Sequence, residues 1–159
     1  LAKAEVEVPQ DKVVLGTILR AGLPLHQGFL NMFDHAENAF VSAYRKEEAD
    51  ENGNVQLAIV SEYLAAPSME NKTLILVDPM LATGMSMEIA YKALLTHGQP
   101  SFTHLVCAFA TPQAIEHLQT TMPEDCTLWC AVIDPILNPH KYIVPGLGDA
   151  GDLCFGGKL

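Results

Sequence analysis

Four short apolar runs constrain this chain most: KVVLGTIL (12–19), KTLILVD (72–78), HLVCAFA (104–110) and TLWCAVI (127–133). None approaches the roughly 20 apolar residues of a membrane span. The first two are continuous rather than alternating, as in strands buried on both faces. Helical spacing follows them. Leu25, Phe29, Met32 and Phe33 fall on one face of residues 25–33. SMEIAYKALLTHG (86–98) places apolar residues at 87, 89, 90, 94 and 95, with Gly98 as its stop. TPQAIEHLQT (111–120) opens with an N-cap threonine and a proline at the first helical position. Strands alternating with helices from residue 72 onward imply βαβ units. The expected fold class is α/β, a central, mostly parallel sheet flanked by helices.

Two further segments differ from this rhythm. AFVSAYR (39–45) and QLAIVSEYL (56–64) read as a β-hairpin arm around an acidic turn, EEADENGNV (47–55). RAGLP, after the first strand, reads as a turn. The tail from residue 134 is rich in Pro and Gly and reads as loops with no further helix. With 159 residues and no repeat or linker, residues 1–159 are expected to form a single domain. The opening LAKAEVEVPQDK is mixed and polar rather than a signal peptide, and the missing initiator Met suggests a trimmed or partly ordered fragment.

Charge narrows the partners. Nine Lys plus Arg against nineteen Asp plus Glu leave a net charge of −10. Nucleic-acid binding requires basic patches, so neither nucleic acid nor membrane is expected as a partner. Of the four cysteines, Cys107 and Cys130 lie in apolar runs and read as small core residues. Cys126 and Cys130 lack metal-site spacing, and reduced thiols suit a cytoplasmic protein.

In an open parallel sheet, ligands bind beyond the carboxyl ends of the strands. Turns leave there after residues 19, 77 and 133. The middle one, DPMLATGMS (78–86), joins Asp78 to small residues and a helix start. Its backbone N–H groups and the helix dipole suit a phosphate. Asp78 suits sugar hydroxyls or a hydrated Mg2+. Together they suggest a sugar phosphate. It is neither a Walker A loop nor GxGxxG. Taken alone, the turn remains open between an anion cradle and a tight βα turn capped by Thr83 or Ser86.

VDPMLATGMS resembles the ribose-phosphate motif of the type I phosphoribosyltransferases, in the Asp-Pro form of the uracil phosphoribosyltransferases. ILRAG (18–22), YR (44–45) and YIVPGLGDAGD (142–152) followed by FG are similar to three other segments of that family, in the same order. The resemblance spans nearly the whole chain, although most of the family's N-terminal stretch is missing. It implies a type I phosphoribosyltransferase-like fold with a loop-rich C-terminal base-binding segment. It also implies transfer of the phosphoribosyl group of phosphoribosyl pyrophosphate to uracil, Mg2+ as cofactor, and a homo-oligomer.

Carried over residue by residue, the resemblance assigns catalysis to Arg45 and Asp149. Phosphoribosyl pyrophosphate falls to Arg20, Ala21, Gly22, Arg45, Asp78, Pro79, Met80, Leu81, Ala82, Thr83, Gly84, Met85, Ser86 and Asp149. Uracil falls to Tyr142, Ile143, Gly148, Asp149 and Ala150. Arg20 and Arg45 suit pyrophosphate oxygens. Asp149 is placed near the pyrophosphate and its Mg2+. The six histidines are scattered, and none is assigned as a general base. His140 alone falls near a site segment and reads as a loop-surface residue.

Two positions depart from the pattern. Lys46 stands where an acidic residue is common, and Met85 where a second glycine is usual. With a negative φ and its side chain turned away, Met85 offers phosphate only its N–H. A required positive φ would strain it by roughly 1–2 kcal/mol. The alternative is then a nucleotide-sensing protein on the same fold with impaired catalysis.

Overall fold

In the computed structural model, described for residues 2–6, 12–49 and 55–157, a mostly parallel sheet forms around the apolar runs. Side chains at 43–49 and 55–62 lie outside that description. The strands are β1 (Val13–Leu19), β2 (Glu37–Ala49), β3 (Val55–Ala65), β4 (Thr73–Val77), β5 (Met80–Leu81), β6 (Phe102–Ala110) and β7 (Cys126–Ile133). β1 pairs in parallel with β2 on one side and β4 on the other. β4 and β5 successively pair the same strand, β6, whose other neighbour is β7. β1 is therefore where the chain's strand order reverses, and a crevice is expected at its carboxyl end.

Alternate residues of the central strands enter two cores. Val14, Leu74, Leu76, Leu105 and Cys107 pack with Met87, Ala90 and Leu94 of α2 (Met85–Leu94) and with Ala114 and Leu118 of α3 (Pro112–Thr121). Leu15, Ile75 and Val77 face the other way, against Leu25, Phe29 and Leu30 of α1 (Leu23–Leu30). This burial on both faces is why the runs are apolar without alternation.

The structure alters several boundaries. RAGLP is not wholly a turn: Gly22 is the N-cap of α1, and Pro24 lies in its first turn. Proline is pre-set for that position and lacks only an N–H the helix would leave unused. α1 also ends at Leu30, before Met32 and Phe33. β4 does not simply end at Asp78. Pro79 has no N–H to continue the ladder, but its carbonyl accepts from Ala108 and Phe109, and β5 resumes the strand.

The hairpin is antiparallel as expected, but longer. Residues 47–49 and 55, read as turn, continue the ladder through Ala49↔Val55, and 50–54 lie outside the described residues. Polar residues there end the alternating pattern without ending backbone pairing. A register shift at Ser42/Ala43 marks where the arm leaves the sheet. There the Tyr63 N–H donates to Ser42 Oγ at 2.9 Å.

The tail contains a helix that the sequence reading omits. After a two-stranded ladder of β8 (Ile136–Leu137) and β9 (Ile143–Val144) comes α4 (Ala150–Phe155). Asp149 caps it, accepting from the Asp152 N–H at 2.9 Å, and Gly156 stops it at φ 80°. The glycine-rich composition hides a short helix with signals at both ends.

Candidate active site

An open cleft of about 720 Å³ lies at the carboxyl ends of β1 and β4, within the range of small-molecule sites. Three segments meet there: Ile18–Ala21 from β1, Asp78 to Ser86 from the β4–α2 connection, and residues 140–151 from the tail. Among the predicted residues, Arg20, Ala21, Asp78, Met80, Ala82, Ser86, Tyr142, Gly148, Asp149 and Ala150 line it. Ser42, His140 and Lys141 also line it and were not assigned. His140 is exposed, as expected of a loop-surface residue.

The other predicted residues stand behind or beside this lining. Leu81 is buried in the α2–α3 core, and Ile143 is buried. Pro79, Thr83, Gly84 and Met85 do not line the cleft. Arg45 pairs its backbone with Ile59 on the arm, while its side chain, like that of Lys46, lies outside the described residues.

Gly22 acts from beneath. Its φ is −70°, so backbone freedom is not why it is glycine. A Cβ there would lie 2.0 Å from Thr17 Oγ1 and 2.7 Å from the Ile18 carbonyl oxygen. Only glycine lets the Arg20–Ala21 turn settle onto β1. Arg20 itself reaches the tail: Nη2 donates to Asp152 at 2.9 Å and Nη1 to the Gly156 carbonyl at 3.2 Å.

The β5–α2 turn has the form of an anion cradle. Gly84 is the N-cap of α2 at φ 81°, and no side chain caps the helix. The first helical bond runs from the Glu88 N–H to the Gly84 carbonyl. The N–H groups of residues 85–87 therefore precede the ladder, at the positive end of the helix dipole. Thr111 fixes the turn from α3. Its N–H donates to the Leu81 carbonyl at 3.1 Å, and its hydroxyl to the Ala82 carbonyl at 2.8 Å.

Met85 is the first residue of α2 and is absent from the positive-φ residues. The left-handed position belongs to Gly84, so methionine costs no backbone strain here. Its side chain is 40% exposed and outside the cleft lining. The motif needs one glycine for its turn, and this chain has it.

Two acidic residues face the cleft differently. Asp78 is buried, and burial pushes its carboxyl from 3.8 up to about 7, opposed by the Met80 N–H at 3.2 Å. Asp149 is half-buried and already occupied in part as the cap of α4. Cys107 is no candidate nucleophile, because burial pushes its thiol up to about 12. All four cysteines are free.

Sequence reasoning missed Asp134, which ties the tail to the sheet. It is buried, and its Oδ2 accepts from the Gly146 N–H at 2.9 Å. The DP after β7 marked a strand exit there, but nothing local showed where the carboxylate would reach.

Known proteins resemble this chain in sequence and architecture. A uracil phosphoribosyltransferase of Porphyromonas gingivalis is 57% identical over 159 residues, covering all of this chain and 72% of that protein. A solved protein from Aquifex aeolicus superposes with a TM-score of 0.79 at 30% identity, over 94% of this chain and 68% of that one. A solved hypoxanthine phosphoribosyltransferase from Staphylococcus aureus, 16% identical, shares the fold with a TM-score of 0.53, over 93% of this chain and 80% of that one. The uracil phosphoribosyltransferase family model matches residues 2–157. With that match, and with three of the four segments of the resemblance meeting at one cleft, the chain belongs to the uracil phosphoribosyltransferase family.

Proposed function

We propose that the cleft between β1, α2 and the tail is where this chain binds phosphoribosyl pyrophosphate and uracil. Membership in the family carries the reaction: the chain transfers the phosphoribosyl group of phosphoribosyl pyrophosphate to uracil, giving UMP and pyrophosphate. The observation that carries the site reading is the meeting of the Arg20 turn, the α2 N-terminus and the 140–151 segment around one space.

The roles divide by chemistry. The N–H groups at the start of α2 and the Ser86 hydroxyl hold the 5′-phosphate. Asp78 accepts from the ribose hydroxyls. Arg20, with Arg45 from the arm, takes up charge on the departing pyrophosphate. Tyr142, Gly148 and Ala150 border the base, where backbone groups read the C=O and N–H edges of uracil. Ile143 supports them from the interior. Cytosine reverses one edge and leaves buried groups unpaired.

The C1–oxygen bond to pyrophosphate breaks as uracil N1 bonds to C1, through an oxocarbenium-like state, and the N1 proton is released to solvent. Positioning and charge stabilisation do most of the work. No cluster of three or more His, Cys, Asp or Glu suited to a metal exists among the described residues. The donor set instead suits Mg2+ held by one carboxylate, Asp149, together with substrate phosphate oxygens. Held there, Mg2+ would neutralise charge on the leaving pyrophosphate.

Asp149→Asn tests this reading. Asparagine also caps helices well, so α4 persists. Turnover should fall roughly a hundredfold or more while the thermal midpoint moves little, because charge at the reacting centre is lost without the cap. Undiminished turnover removes Asp149 from the mechanism.

We also infer that the chain self-associates and works in the cytoplasm. An exposed apolar edge on β7 supports the first, and four unpaired cysteines suit the second. No described helix is long and apolar enough to cross a membrane.

A further inference from the structure

The phosphate cradle has a carboxylate one turn beneath it. Glu88 lies in the first turn of α2, the helix whose Ser86 lines the cleft. A free negative charge there would oppose a bound phosphate, since the helix end attracts anions through the same N–H groups. Glu88 is not free. Lys92, four residues on, pairs with Oε1, and His117 Nε2 donates to Oε2 at 2.6 Å. Lys92, and behind it His117, holds the Glu88 carboxyl below its ordinary range against the opposing effect of partial burial.

His117 makes a second contact. A Cβ on Gly84 would lie 2.9 Å from His117 Cδ2 and 3.1 Å from the Ala114 carbonyl oxygen. The imidazole therefore packs directly beneath the glycine that forms the cradle. From α3 it touches both the turn and the one carboxylate of that helix's first turn.

We propose that His117 is a positioning residue for the phosphate end of the substrate. It seats Gly84 and draws the Glu88 carboxylate toward α3, so that the N-terminus of α2 meets phosphate unopposed. This rests on the reading that the 5′-phosphate lies at that N-terminus.

Steady-state kinetics of His117→Ala, Glu88→Gln and the double variant test it. In His117→Ala, KM for phosphoribosyl pyrophosphate should rise roughly three- to tenfold, the scale of a charge in a helix's first turn. The kcat and the KM for uracil should stay within about twofold, because the charge is remote from the base. Adding Glu88→Gln should restore most of the lost affinity, whereas a purely packing role for His117 would leave the loss in place. His117→Gln, which keeps an N–H donor, should fall between wild type and alanine. An unchanged KM in His117→Ala, or a loss that Glu88→Gln does not relieve, overturns the proposal.

If the alanine variant fails to fold, Glu88→Gln and His117→Gln decide. The first should leave the KM for phosphoribosyl pyrophosphate within about twofold, because the carboxylate is already drawn aside, and the second must raise it; an unchanged KM in His117→Gln, or an equal rise in Glu88→Gln, overturns the proposal. Ser86→Asp is the separate control. It puts a carboxylate into the cleft lining and should weaken phosphoribosyl pyrophosphate whatever His117 does. If it does not, the phosphate reading itself fails.

Discussion

Met85 and Gly84 divide one motif position between chemistry and geometry. Gly84 carries the φ of 81° that turns the chain into α2, and Met85 begins the helix behind it. Gly84→Ala should cost about 1–2 kcal/mol from the left-handed backbone alone, and more from contact with His117. Met85→Gly should leave KM for phosphoribosyl pyrophosphate nearly unchanged. Thermal melts and KM values check both, and a large loss in Met85→Gly would show that the methionine side chain binds substrate. The reading of impaired catalysis loses its basis, because it rested on strain at residue 85.

Asp78 gives the site a pH signature. Its carboxyl titrates near 7 rather than 3.8 because it is buried. Between those values the folded state binds a proton that the unfolded chain releases. The stability it contributes is therefore fully present below about pH 4 and is lost as pH rises through about 7, a span worth at most about 4 kcal/mol. In the role proposed for Asp78, substrate binding runs the other way, since the ionised carboxylate is the better acceptor for ribose hydroxyls. The kcat/KM for phosphoribosyl pyrophosphate should rise as pH increases through about 7, and Asp78→Asn should abolish that limb. A profile shared by wild type and Asp78→Asn would exclude this carboxyl as its source.

Among the elements, strands buried on both faces were legible because continuous apolar runs have few alternatives. α3 was legible because Thr111 and Pro112 announce it, and the Thr111 hydroxyl does accept from the Ala114 N–H at 3.1 Å. α4 was not, because six residues offer too little periodicity to outweigh the surrounding glycines. β5 was not, because a two-residue strand exists only through its partner β6. The hairpin's length likewise depends on backbone pairing that polar side chains do not reveal.

β7 differs from the other strands in what covers it. Trp129 and Ile133 are 57% and 54% exposed, and β6 is the one strand it pairs with among the described residues. An exposed apolar edge is an adhesive surface for another chain. Sedimentation at micromolar concentration should therefore show a dimer or larger species. Ile133→Lys should shift it toward monomer, and a monomeric wild type would contradict self-association.

For the whole molecule, the sheet supplies the positions and the connections supply the chemistry. Strand order reverses at β1, so the Arg20 turn and the Asp78 turn leave the same sheet end side by side. The tail closes the third side, anchored by Asp134 on Gly146 and by Asp152 on Arg20. Local motifs announced the residues of each segment. Their anchors were not legible, since Asp134 and His117 act across 12 and 29 residues of sequence. Motif spacing records what a segment is, whereas long-range hydrogen bonds record what holds it in place.

The central claim is that these segments form one site for phosphoribosyl transfer to uracil. Incubation with radiolabelled uracil, phosphoribosyl pyrophosphate and Mg2+, followed by separation of nucleotide from base, tests it directly. Label should move into UMP only when phosphoribosyl pyrophosphate is present, and labelled cytosine should not be converted. A folded protein that binds both substrates at saturation yet forms no UMP would contradict it.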